Sequence, residues 1–220
     1  MSSSLRAPVI ALFSGSSRVG SFNTQLTKAA EKIALGLGAD TKVLDLASYN
    51  LPLYNQDTEG GDGIPQEVLH LKQDLASADG WIVASPEYNG FVTPLFLNAI
   101  TWASRGDAPG EMYATFANKC AVVLSASPGA MGGLRAHNPN HQLLTNLGVN
   151  VLPHSVAVGG AFKAFDENTG ELVDEKMAGM LNGAVSSLFY LTRDVANREA
   201  TCKIIQEHIK PVGEYGSVTF

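Results

Sequence analysis

The sequence predicts an α/β fold, a doubly wound sheet of five parallel strands with helices on both faces. Five short apolar runs alternate with segments whose apolar residues recur at helical spacing. The 220 residues are 45% hydrophobic and 16% charged, as in a folded domain. No repeat, low-complexity tract or linker divides the chain. We therefore expect one domain over 1–220, with its core at 8–197 and a C-terminal extension at 198–220.

The predicted strands and helices follow one another along the whole chain. The continuous apolar run of the first strand is typical of a strand that is covered on both faces. Thr93 and Pro94 suit the start of a helix, whereas Pro139 is expected to break or delay one. The strands are expected at 8–13, 41–47, 80–85, 119–126 and 149–160, and the helices at 21–38, 64–78, 94–106, 134–148, 174–197 and 200–209. Residues 48–63 and 106–118 are expected to be loops.

Composition argues against several classes of protein. The net charge is −6 and no run of lysine or arginine occurs, which disfavours a nucleic-acid binder. The N-terminus lacks an apolar signal region, and no segment approaches the roughly 18 apolar residues of a membrane span. The two cysteines, Cys120 and Cys202, form no disulfide framework, and Cys120 lies in an apolar run that predicts a buried thiol. We expect a cytoplasmic protein without nucleic-acid or membrane partners.

Three unusual loops follow predicted strands and form the candidate site. They read SGSSRVGSFN after the first strand, SPEYNGFVTP after the third and SASPGAMGG after the fourth. In a doubly wound sheet, ligands bind outside the carboxyl ends of the strands, where all three loops would meet.

The first loop matches no common phosphate or nucleophile motif. Ser21 stands where a Walker A motif needs lysine, the glycines of a dinucleotide fingerprint are missing, and Val19 replaces the last glycine of a nucleophile elbow. An anion cradle remains, with serine hydroxyls, helix N–H groups and the Arg18 guanidinium as donors. A plain turn capped by Ser21 or Asn23 also remains open on this loop alone.

The second and third loops suit a flat heteroaromatic ligand, although each has a simpler interpretation. The second offers an aromatic ring, an amide and a carboxylate, but Glu87 could also be an ordinary surface charge. The third exposes backbone N–H groups, as a glycine-rich turn without a ligand would also do. His137 and His141 are four residues apart, but Pro139 between them argues against a helical metal site, so no metal is expected.

Taken together, the loops resemble the signatures of the NAD(P)H-dependent FMN reductase family, which has a flavodoxin-like fold. The motifs are Gly15-Ser-Ser-Arg-Val-Gly-Ser-Phe-Asn-Thr-Gln-Leu26, then Pro86-Glu-Tyr-Asn89 with Asn98-Ala-Ile-Thr-Trp-Ala-Ser-Arg105, and Ser127-Pro-Gly-Ala-Met-Gly-Gly-Leu-Arg135. The resemblance covers about residues 8–160.

The resemblance implies a complete set of cofactor-binding residues. The first loop would hold the FMN phosphate, the second would line the isoalloxazine ring and ribityl chain, and the third would contact the other side of the ring. The candidates are Ser16, Arg18, Ser21, Phe22, Asn23, Pro86, Glu87, Tyr88, Asn89, Gly90, Ser127, Gly129, Gly132 and Gly133. No side chain is assigned as a catalytic acid, base or nucleophile, because the flavin supplies the redox chemistry.

The implied activity is the transfer of hydride from NAD(P)H to bound FMN, and of electrons on to a small acceptor. A quinone, an azo compound, a metal oxyanion or free flavin would serve. The resemblance also implies a homodimer or homotetramer whose interface includes the helix at 94–105. A non-enzymatic flavodoxin-type electron carrier and a flavin-free binding module on the same fold are the alternatives.

Overall fold

The computed structural model describes residues 5–61, 63–106 and 113–198. The helix predicted at 200–209, the extension beyond residue 198 and Cys202 lie outside the described residues. The extent of a single domain over 1–220 stays a prediction.

The sheet has the predicted doubly wound architecture. Its strand order is β2-β1-β3-β4-β5, with β6 also paired to β4, and every pairing is parallel. The strands are β1 (Val9–Ser14), β2 (Asp40–Leu44), β3 (Gly80–Ala84), β4 (Cys120–Ala126), β5 (Asn150–Val151) and β6 (Val156–Val158). All residues of β3 and β4 are buried, as the continuous apolar runs predicted.

The fifth predicted strand is interrupted, so the expectation of one strand over 149–160 was wrong. Cys120 pairs with Asn150 and Leu124 pairs with Val156, so four residues along β4 face six along the opposing segment. Pro153 lies in this gap and has no N–H group to donate to the sheet. β5 and β6 are therefore two short strands along β4, separated by a bulge.

Helices cover both faces of the sheet, as predicted. Buried residues of α1, α6 and α7 pack on one face, and those of α3, α4 and α5 pack on the other. The bounds are α1 (Phe22–Gly36), α2 (Gln56–Gly61), α3 (Gln66–Ser77), α4 (Pro94–Ala103), α5 (His137–Asn146), α6 (Ala161–Ala164) and α7 (Glu175–Ala196). Two short 3₁₀ turns lie at Ala114–Phe116 and Leu134–Ala136. Within the part of the chain that the structure describes, no helix has the length and apolar character needed to cross a bilayer.

Two helices differ in detail from the sequence expectation. α2 lies inside the segment predicted as loop, but it buries no residue, so it has no apolar stripe that could reveal it. α5 begins at His137 after a 3₁₀ turn, so the predicted delay is confirmed. Pro139 is its third residue, where a missing N–H leaves no helical hydrogen bond unmade. The expectation that Pro139 disrupts helical geometry between His137 and His141 was wrong.

Candidate functional site

The three candidate loops lie side by side at the carboxyl ends of β1, β3 and β4. Backbone hydrogen bonds connect the first two loops to the neighbouring strands: Gly15 N donates to Ala84 O at 3.0 Å, and Ser85 N donates to Leu124 O at 2.9 Å. β1 and β3 are neighbours at the point where the strand order reverses, which is where open α/β sheets bind ligands. The topology therefore places the predicted residues at one edge.

The first loop leads into the N-terminus of α1 with polar groups free to bind an anion. Ser21 caps the helix by accepting a hydrogen bond from Asn23 N at 3.2 Å. The N–H groups of Phe22 and Thr24 have no partner among the described residues. The exposed Arg18 guanidinium lies 5.7 Å from the centre of the Phe22 ring. A helix N-terminus and a fixed cation thus create a positive electrostatic potential at one point.

The Asn23 side chain connects the first loop to the end of β4. Its Nδ2 donates to Ala126 O at 2.9 Å, and its Oδ1 accepts from Ala126 N at 3.0 Å. The residue is 3% exposed, so both hydrogen bonds are shielded from water. Both polar atoms of the amide contact Ala126, so Asn23 holds the start of α1 against the end of β4.

The second loop contains a two-residue hairpin turn. Tyr88 and Phe91 exchange two backbone hydrogen bonds, at 3.3 and 3.0 Å. Between them, Asn89 and Gly90 have φ angles of 55° and 75°, the left-handed pair that a type I′ turn requires. The turn leaves the Tyr88 and Phe91 rings about half exposed beside the site. The Asn-Gly dipeptide is a hairpin signal that our sequence analysis did not use.

Glu87 connects the second loop to the third. Its Oε1 accepts from Arg135 Nε at 2.7 Å, and its Oε2 accepts from the Arg135 backbone N at 3.0 Å. The Glu87 side chain is only 9% exposed. It is therefore not an ordinary surface charge, because both carboxylate oxygens hold Arg135 of the third loop.

The third loop lies directly on the backbone of β6. Gly132 has a φ of +63°, and a Cβ there would lie 2.7 Å from backbone atoms of residues 157–159. A Cβ on Gly159 would lie 2.2 Å from Ala130 O. Gly132 and Gly159 are thus required for the close contact between the two backbone segments.

Ser125 and His137 hold this loop in place through two linked hydrogen bonds. Ser125 Oγ donates to Gly132 O at 2.7 Å and lies 2.7 Å from His137 Nε2. Because the hydroxyl proton is used on Gly132, Nε2 must carry the imidazole proton and donate to Oγ. Burial lowers the pKa of His137 to about 4, which keeps the ring neutral. The sequence pattern indicated His137 only as a possible metal ligand, and its hydrogen bond with Ser125 was not predicted.

The predicted residues line two adjoining clefts. The smaller cleft, of about 150 Å³, lies at the first loop, and the larger, of about 500 Å³, lies at the third loop. Glu87 and Ser127 border both clefts. The smaller is lined by Ser16, Arg18, Ser21, Phe22, Asn23, Pro86 and Tyr88, and the larger by Asn89, Gly90, Gly129, Gly132 and Gly133. The two clefts together contain every predicted binding residue.

The structure adds lining residues that the sequence analysis did not select. Pro128 borders the smaller cleft, and Ala130, Met131 and Arg135 border the larger. His141, the other histidine considered as a metal ligand, contacts Ser155 Oγ through Nε2 at 2.8 Å. No cluster of three or more potential metal ligands occurs within 5–61, 63–106 and 113–198.

Comparison with known proteins identifies the family. Residues 8–163 match the model of the NADPH-dependent FMN reductases. The chain belongs to this family. It is similar to an NAD(P)H-dependent FMN reductase of Pseudomonas aeruginosa, with 36% identity over 80% of this chain and 90% of that protein. A quinone reductase of Escherichia coli is 33% identical over 79% of this chain and 89% of that protein.

A solved structure shows the same architecture. The flavoenzyme FerB of Paracoccus denitrificans, an NAD(P)H:acceptor oxidoreductase, superposes with a TM-score of 0.71 and 28% identity. The match covers 86% of this chain and 98% of that one. The predicted flavodoxin-like fold, the family and the oxidoreductase class are confirmed, with FMN as the family's cofactor and NAD(P)H as its co-substrate.

The described residues fit FMN. The smaller cleft offers unpartnered helix N–H groups, three serine hydroxyls and Arg18, the donors that a phosphate needs. The larger cleft is bordered by glycines without side chains, which leaves room for a planar ring close to backbone amides. The clefts adjoin, as the two ends of one flavin mononucleotide require.

Proposed function

We propose that this protein is an NAD(P)H-dependent quinone reductase in which FMN is the bound redox cofactor. When bound, FMN supplies the chemistry of hydride acceptance and electron donation. The observation that carries the proposal is the convergence of all predicted binding residues on one continuous pair of clefts. Relatives named as quinone reductases in bacteria and plants support the choice of acceptor.

In this proposal the first loop anchors the phosphate. Ser16, Ser21 and the first-turn N–H groups of α1 donate to its oxygens, and Arg18 adds a charged donor. Asn23 keeps this loop at a fixed distance from β4 through its paired hydrogen bonds with Ala126. The affinity for the cofactor thus depends on a preorganised set of donors.

The third loop holds the ring and stabilises negative charge on it. Ala130, Met131 and Gly133 line the larger cleft and their N–H groups have no partner among the described residues, whereas Gly129 N donates to Ser127 Oγ and Gly132 N donates to Gly129 O. The loop is fixed by the glycine contacts with β6 and by Ser125. Fixed dipoles of this kind stabilise developing negative charge without reorganising. Glu87 and His137 serve to fix the third loop, through the hydrogen bonds that each makes within the protein.

The acceptor is proposed to enter between the second and third loops. Tyr88 and Met131 border the clefts there, and each is about half exposed. Their apolar surfaces suit a small quinone ring better than a strongly hydrated anion. The free edge of the larger cleft would also receive the nicotinamide.

We further propose that the chain assembles as a homodimer or homotetramer through α4 and its neighbouring loops, and that it is cytoplasmic. Leu53, Phe91 and Leu97 are exposed by 84, 54 and 37% in this region. Asn98 of α4 holds the Leu53 segment, accepting from Tyr54 N at 2.8 Å. Exposed apolar residues near one helix are typical of interfaces, and sedimentation equilibrium will give the oligomeric state.

One set of measurements tests the activity. The purified protein should carry a flavin absorption spectrum and oxidise NADH or NADPH several-fold faster when a benzoquinone is added. A protein that binds FMN but does not consume reduced nicotinamide would be an electron carrier. A colourless protein that takes up no FMN would be a flavin-free module. Removal and readdition of FMN serves as the matched control.

A further inference from the structure

A third cavity opens from the phosphate end of the site. It measures about 540 Å³ and shares Arg18, Phe22 and Pro128 with the smaller cleft. Its other walls come from the segment around α6, which includes Phe162 and Phe165. A phosphate group in the smaller cleft would therefore have open space beside Arg18 and Phe22.

The cavity has aromatic walls with one ring open to solvent. Phe22 lies 5.2 Å from Phe162 in an edge-to-face contact and 5.8 Å from Phe165 in a stacked one. Phe162 is 75% exposed, although Phe165 beside it is buried. An exposed phenyl ring at the mouth of a cavity offers a face for stacking to a planar ligand.

The aromatic wall is fixed relative to the flavin site. Gly160 N donates to Gly129 O at 3.2 Å, and Ala161 N donates to Ser127 O at 3.1 Å. These bonds hold the start of α6 against the third loop. Phe162 therefore has a defined position next to the phosphate cleft, unlike a side chain on an unattached loop.

The polar groups of the cavity suit a nucleoside phosphate. Arg18 lines both the smaller cleft and the third cavity, and its guanidinium can donate hydrogen bonds to a second phosphate group. Gln25 lines the cavity, and its Oε1 is buried without a partner among the described residues, so its amide gains a hydrogen bond by turning toward a ligand.

Two acids also border this space. Asp166 Oδ1 already accepts from Asn168 N and Thr169 N within its own turn. The exposed Glu167 carboxylate remains available for ribose hydroxyls.

We propose that this cavity binds an adenosine phosphate group. In FAD an adenylate group is joined to the flavin phosphate. That group would extend from the smaller cleft beside Arg18 into the third cavity and place its adenine against Phe162. The protein would therefore bind FAD as well as FMN. The adenosine half of NAD(P)H is the other source of the same chemistry. The inference rests on the proposed function, because it takes the smaller cleft as the phosphate site.

Calorimetric titration of the flavin-free protein with FMN and with FAD tests this. We expect FAD to bind within about tenfold of FMN. Phe162→Ala should weaken FAD binding by about five- to tenfold and leave FMN binding within twofold, since a stacking contact contributes on the order of 1 kcal/mol. Phe162→Tyr should restore it. Tyr190→Ala removes another exposed aromatic ring, on α7 and outside these cavities, and should change neither affinity.

A second titration separates the two sources of adenosine. If ADP-ribose binds the FMN-loaded protein and Phe162→Ala weakens that binding instead, the cavity serves the pyridine nucleotide. The inference is overturned, while the FMN site stands, if Phe162→Ala weakens FMN binding as much as FAD binding. It is also overturned if the variant changes the affinity for neither FAD nor ADP-ribose. A wild-type protein that binds neither flavin overturns the proposed function as well.

Discussion

Asn23 gives the sharpest test of how the site is held together. Asn23→Ala removes two hydrogen bonds to the backbone of Ala126, at 2.9 and 3.0 Å, at a position that is 3% exposed. Each loss leaves a buried backbone group unpaired, at about 1–3 kcal/mol. Ala126 borders the smaller cleft, so water can partly replace the amide, and we expect a total loss of about 2–4 kcal/mol.

Equilibrium urea unfolding of the flavin-free protein measures this loss without involving the cofactor. Asn138→Ala is the matched control, because Asn138 is exposed and its side chain makes no hydrogen bond with the described residues; it should change stability by less than about 0.5 kcal/mol. If Asn23→Ala also stays within about 0.5 kcal/mol while FMN affinity falls steeply, the structural role is refuted and direct phosphate binding is favoured.

Three further perturbations probe the other elements. Arg18→Ala should weaken FMN binding about 10- to 100-fold and leave turnover at saturating FMN unchanged, and unchanged affinity would remove Arg18 from the phosphate site. Gly132→Ala should lose more than about 2 kcal/mol, since its Cβ would lie 2.7 Å from backbone, whereas Gly36→Ala, with nothing within 4 Å, should be neutral or stabilising. The pKa of His137 is about 4 in the folded protein and near 6.5 in the unfolded chain. The contribution of the neutral His137 to the free energy of unfolding should therefore be complete above pH 6.5 and decline as the pH falls toward 4. Urea unfolding across this pH range should show a smaller decline in the free energy of unfolding for His137→Asn than for the unsubstituted protein.

Much of the fold could be predicted because the sheet is buried on both faces. A strand that is buried on both faces leaves a continuous apolar run in the sequence, as in residues 80–84 and 120–126. Once the strands are assigned, the rule for parallel sheets brings the three loops together without any knowledge of side-chain contacts. The candidate site was predictable for this reason, while the individual roles of its residues remain proposals.

The missed features depend on how the chain folds back on itself. Asn23 pairs with Ala126, 103 positions away, and Ser125 contacts Gly132 and His137 only because the third loop folds back on β4, which no local pattern reveals. The interruption at Pro153 and the Asn89-Gly90 turn had local signals that were outweighed by the apolar run and by the ligand-binding interpretation. Short α2 has no buried face to mark it.

The backbone-to-backbone contact between the third loop and β6 also limits how this enzyme could be re-engineered. A methyl group on Gly132 or Gly159 would collide with main-chain atoms, so the loop cannot be reshaped at these two positions. Tyr88 and Phe162 are exposed and can be exchanged without disturbing the core. Variants that use a different range of acceptors or cofactors are therefore expected to differ at Tyr88 and Phe162, while Gly132 and Gly159 stay constant.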